Sequence, residues 1–139
     1  MSDEHVRAAR STDRCPGCGG TRTWEAAQSV EGRRLCWTLD RHCAACGVQS
    51  CDRGRGPAPE AVRAAVVARH GTHLLRLEDP GARGGTVPKV FRDVFDLSLA
   101  GTARAAAALR GDGYEGTHPE VRLLAALLAA AGLPAVIDG

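Results

Sequence analysis

Two knuckles, Cys15-Pro-Gly-Cys18-Gly19 and Cys43-Ala-Ala-Cys46-Gly47, constrain this 139-residue chain more than any other feature. A Cys-x-x-Cys turn points two sulfurs at one spot. The glycine after it admits the positive φ that turns backbone N–H groups toward those sulfurs. Two such turns supply four thiolates, the tetrahedral set of a closed structural Zn²⁺ site. Cys15, Cys18, Cys43 and Cys46 are therefore the candidate metal ligands, and structural zinc is the candidate cofactor. An iron–sulfur centre also takes four thiolates, and two disulfides would use the same residues. Spacing alone leaves both alternatives open. A four-thiolate site has no open position for water or substrate, which argues against catalysis at the metal.

The residues between the knuckles alternate with period two. Trp24, Ala26, Gln28 and Val30 interleave with Thr23, Glu25, Ala27 and Ser29; Leu35, Trp37 and Leu39 follow after Glu31-Gly32. That pattern predicts a β-hairpin, with Val48–Cys51 as a third strand and the two tryptophans stacked across the hairpin. Hairpin and knuckles over residues 14–52 resemble the zinc-ribbon family. A unit this small buries too little surface to fold alone, so the metal is expected to supply folding energy. Residues 1–13 read as a flexible tail, and residues 53–72 as a Gly/Pro-rich linker and connecting helix.

The second half predicts alternating elements. His73–Leu77 is a short strand. Val87, Val90, Phe91 and Val94 form one helical stripe. Ser98 caps a helix over 99–110, and Tyr114–Gly116 is a very short extended segment. Thr117 with Glu120 forms a capping box for a helix running to Ala131, with Gly132 as its stop. Ala135–Ile137 is the last strand. The expected class is α+β: a small zinc-ribbon hairpin domain, then a β-α-α-β-α-β domain with three helices on a three-stranded sheet.

Several residues of that half carry a resemblance. Leu75-Arg-Leu77, Gly81 and Val87-Pro-Lys-Val-Phe-Arg-Asp-Val-Phe-Asp-Leu-Ser-Leu99, then Glu115-Gly116 and Ala131-Gly132, are similar to the C-terminal domain of the bacterial ribosomal stalk protein, the L-seven/L-twelve type. The resemblance spans residues 73–139. In that family the first two helices form a face that recruits translational GTPases to the ribosome. The resemblance implies the same role for Val87, Lys89, Arg92 and Leu99, with a translational GTPase or the ribosome as partner. There are departures: Asp96 and Ser98 replace the family's corner glycines, and Ala100-Gly-Thr-Ala103 replaces a charged helix start. The family's dimerisation domain is also missing, with a zinc ribbon in its place. The Clp-protease adaptor has a related topology, but no acidic amine-binding pocket is evident in this chain.

Charge narrows the function classes. Before Pro57 there are nine Arg or Lys against seven Asp or Glu; after it there are nine of each. No large basic field announces nucleic acid. Arginines do surround the ribbon, and Arg33, Arg34, Trp37 and Arg41 are its candidate nucleic-acid contacts, by charge and base stacking. The first ten residues have no apolar signal core, and Leu123–Ile137 is broken by Gly132 and Pro134. The expectation is a cytoplasmic chain with no membrane partner, its cysteines in a reducing compartment. Cys36 and Cys51 read as inert thiols. No residue set makes a catalytic constellation. The leading function is a non-catalytic zinc-binding adaptor for a protein partner. Nucleic-acid binding by the ribbon, or an accessory or redox role in an enzyme complex through Cys36 and Cys51, are the alternatives.

Overall fold

The computed structural model describes residues 6–81 and 84–139, and the α+β class is as expected. Four strands, β1 (Arg7–Arg14), β2 (Thr21–Glu31), β3 (Arg34–Cys43) and β4 (Gln49–Arg55), form an antiparallel sheet in sequence order. Helix α1 (Glu60–His70) leads to β5 (His73–Leu77), α2 (Thr86–Val94), α3 (Leu99–Arg110), β6 (Tyr114–Gly116), α4 (His118–Ala130) and β7 (Ala135–Asp138). The last three strands form a second antiparallel sheet in the order β6-β5-β7.

Residues 7–13 are not a tail. They belong to β1, which pairs with β2 from Arg7↔Gln28 to Arg14↔Thr21. Only Ala9 of this strand is buried, opposite the buried Ala26. One buried residue in eight makes no alternating pattern, so backbone pairing at a sheet edge holds the strand. Residues 1–5 lie outside the described set. β4 likewise runs on to Arg55, into the stretch read as linker.

The tryptophans do not stack. Trp24 pairs with Arg41 and Trp37 with Gln28, four register positions apart. The tight turn at Gly32, with φ of 62°, pins that register. Trp37 instead lies over Gly54, its cross-strand partner on β4. A Cβ at Gly54 would come within 2.8 Å of the indole Nε1.

The helix signals read from sequence appear as caps. Ser98 Oγ accepts from Gly101 N–H at 3.0 Å. Thr117 and Glu120 form the reciprocal capping box, with Pro119 in the first turn. α2 buries Val87, Val90, Phe91 and Val94.

α4 explains why its apolar residues exceed one stripe. It packs on β2 and β3 of the first sheet and on β5, β6 and β7 of the second. Val121, Leu123, Leu124, Leu127 and Leu128 are all buried, each contributing roughly 1.5–3 kcal/mol of apolar burial. Leu35 of β3 belongs to the same core cluster as Leu75, Phe91 and Leu124. The four-stranded sheet and the second half therefore share a core. The ribbon is spared the need to hold itself together by metal alone.

Candidate metal centre

The sheet brings the knuckles together at one end. The first joins β1 to β2 and the second joins β3 to β4. Arg22 pairs with Cys43, so the strand register itself sets the first knuckle against the second. Each knuckle is closed by the same backbone bonds. Gly19 N–H donates to Cys15 O at 2.8 Å, and Gly47 N–H to Cys43 O at 2.7 Å. Cys15 N–H donates to Gly20 O at 2.7 Å, and Cys43 N–H to Val48 O at 2.9 Å. Gly19 and Gly47 carry φ of 75° and 77°, a conformation in which any L side chain is strained.

The four sulfurs all lie within 4.8 Å of one another. Cys18 and Cys43 are 3.5 Å apart, and Cys15 and Cys46 are 3.9 Å apart. A metal with about 2.3 Å bonds to four tetrahedral sulfurs requires edges of about 3.8 Å. All six cysteines of the chain are free thiols. The cluster thus has the donor set and dimensions of a four-thiolate metal site.

The surroundings favour thiolate at Cys43. The Cys46 N–H donates to Cys43 and, despite burial, holds its thiol down at about 7. At Cys18 the Gly20 N–H pulls the pKa down, but the neighbouring thiols of Cys43 and Cys46 push it up to about 12. Cys43 therefore gives up its proton before Cys18. Arg22 stands beside the cluster, held by two bonds to Asp13 at 2.8 and 2.6 Å. Its guanidinium pKa is raised, first by Asp13 and further by Cys15 and Cys43. It offsets part of the negative charge that four thiolates carry.

The two remaining thiols are not activated. Burial, followed by Glu31, pushes Cys36 up to about 11. A hydrogen bond with Asp40 raises Cys51. Both stay protonated near neutral pH, the opposite of what a nucleophilic or redox cysteine needs.

The other candidate residues scatter. Arg33 and Arg34 sit exposed at the β2–β3 turn. Arg41 lies seven residues along β3, roughly 23 Å away, in an ion pair with Asp52 at 3.2 Å. Trp37 is half-buried against Gly54. These four do not form one surface. On α2, Lys89 pairs with Asp93 at 2.9 Å, and Arg92 is exposed. Leu99, at the start of α3, is 80% exposed. Val87 is 1% exposed and belongs to the core, so it offers nothing to a partner. It falls on the inward stripe with Val90 and Val94, which the helical period already indicates.

One group of residues was missed. Glu120, 1% exposed, accepts from Arg63 Nε at 2.9 Å and Arg63 Nη2 at 3.0 Å. It also accepts from Gln28 Nε2 at 3.3 Å and from Thr117 N–H at 2.9 Å. Thr117 Oγ1 donates to Gln28 Oε1 at 2.6 Å. The capping box was the only signal of it in the sequence.

None of the described helices is long and apolar enough to cross a membrane. No protein-family model, no curated protein and no solved structure matches this chain.

Proposed function

We propose that the chain is a cytoplasmic, non-catalytic adaptor, stapled by one structural Zn²⁺, that docks a protein partner on the corner between α2 and α3. Zinc suits four thiolates in tetrahedral array, and a site closed by four protein ligands stabilises a fold rather than turning over substrate. The observation that carries the docking reading is Leu99. It stands 80% exposed, with Leu97 at 38%, just after the exposed Arg92 of α2. Exposed leucines and an exposed arginine at the corner of two helices have the make-up of an interface anchor. The resemblance of this segment to the ribosomal stalk domain supports a translational GTPase, or the ribosome that carries it, as partner.

The test is direct binding of a purified translational GTPase to immobilised, metal-loaded protein. Wild type is expected to bind, and Arg92→Ala with Leu99→Ala to lose most of the signal. Equal binding by wild type and the double variant refutes the corner as the docking face. Zinc is tested by elemental analysis, with one ion per chain expected and Cys43→Ser carrying less than one. Iron in place of zinc refutes the metal assignment.

A further inference from the structure

The β2–β3 turn and α2 come from opposite halves of the chain, and in the fold they meet. Arg33 of the turn lines a small depression with Lys89, Val90 and Asp93 of α2. Beside it, Arg33, Arg34, Arg55 and Arg92 line a groove of 520 Å³ together with Asp93 and Asp96. Its walls include the buried side chains Leu35, Val94 and Phe95. Residues that the sequence assigns to two different surfaces, Arg33 and Arg34 to one and Arg92 to the other, thus border a single groove, with Lys89 in the adjoining depression.

The electrostatics of this groove are unbalanced. Lys89 is already paired with Asp93. Among the described residues, Arg33, Arg34, Arg55 and Arg92 form no ion pair. Glu31 stands opposite Arg34 in the strand register and Asp96 lies at the end of α2. Four guanidiniums against Asp93 and Asp96 leave two net positive charges on the groove lining, and the neighbouring Lys89 and Glu31 cancel.

We propose that this groove binds an acidic segment of a partner polypeptide. Guanidinium forks match carboxylates in bidentate geometry, and four of them border this groove. A single-stranded nucleic acid is the weaker fit. Such strands bind by stacking bases on exposed aromatic faces, and Phe95, the aromatic of the groove, is buried. The inference rests on the docking reading and extends it, because Arg92 belongs to both faces. Arg33, Arg34 and Arg55 belong to the groove alone.

Fluorescence anisotropy on the metal-loaded full chain tests this. The probes are a labelled peptide of Asp-Asp-Leu repeats, its Asn-Asn-Leu counterpart and labelled oligouridylate. The acidic peptide is expected to bind, and the Asn peptide not to. The affinity should fall about tenfold or more in Arg33→Ala with Arg34→Ala, and equally in Arg55→Ala with Arg92→Ala. It should also weaken between about 0.05 M and about 0.3 M salt, as exposed ion pairs are screened. Arg10→Ala, on the far strand, should change nothing. Three results overturn the proposal: no binding of the acidic peptide by wild type, equal loss in Arg10→Ala, or tighter binding of oligouridylate that the same variants abolish. Leu99→Ala separates the two readings. If it loses the GTPase while wild type ignores the acidic peptide, the groove fails and the docking corner stands. If it keeps both, the corner fails and the groove stands.

Discussion

Arg63 of α1 and Glu120 of α4 face each other through two parallel bonds, at 2.9 and 3.0 Å, at the seam between the four-stranded sheet and the second half. Gln28 of β2 completes the arrangement from the sheet side. Glu120 is buried while Arg63 keeps about a third of its side chain in solvent. Removing the cation strands a buried carboxylate, which costs far more than the pair gains when intact. Arg63→Ala should therefore destabilise the fold by about 3 kcal/mol in urea unfolding. Arg63→Met with Glu120→Gln should recover part of that loss, because the neutral amide oxygen can still accept from Thr117 N–H. A single-variant cost under about 1 kcal/mol would show that Glu120 finds another partner or takes up a proton.

Metal removal should act unevenly. The cysteines staple one end of the sheet, and Leu35 and Gln28 anchor the other end to α4. Chelation should loosen the knuckles and change the emission of Trp24, which lies two residues along β2 from the Cys43 rung. The helical circular dichroism should largely persist, because the shared core does not pass through the metal. Complete loss of helical signal on chelation would contradict a common core.

Gly54 is fixed by its neighbour. Its missing Cβ leaves room for the Trp37 ring, with Nε1 only 2.8 Å from where that carbon would sit. Gly54→Ala should cost about 1–3 kcal/mol by overpacking and shift the Trp37 emission. Gly32→Ala offers a contrast. There the neighbouring space is open but φ is 62°, so the penalty arises in the backbone and leaves the Trp37 emission unchanged.

Tyr114 packs edge-on against Phe91 at 4.9 Å. Burial, then the negative charge of Glu120, pushes its hydroxyl up from 10 to about 12, against an opposing pull from Arg63. The folded state keeps this proton at pH values where the unfolded chain has lost it. Stability is unaffected below pH 10 and falls between pH 10 and about 12. Tyr114→Phe should flatten that alkaline loss, as read by unfolding midpoints across the range. An unchanged alkaline slope would mean that another group titrates there.

Local chemistry was readable from the sequence wherever it was local in the fold. The knuckle glycines, the Ser98 cap, the Thr117–Glu120 box and the inward stripe of α2 each depend on residues a few positions apart. β1 was not readable, because a strand with one buried alanine carries no period. The separation of Trp24 and Trp37 follows from register, which a tight turn sets and composition does not. Glu120 is the sharpest case. As part of a cap it was visible, but its bond to Gln28 joins residues 92 positions apart, and no local pattern reports that.

Those separations also rank the moments at which the molecule becomes complete on a ribosome. The sulfur cluster needs nothing beyond Cys46, and Cys15 and Cys46 are only 31 positions apart. Gln28 and Leu35 must wait for α4, most of the chain later. Until then the nascent sheet holds a polar glutamine and an apolar leucine without their final cover. A metal held by the four sulfurs would clamp it early, alongside the pairing of β1 to β4 and the packing of α1.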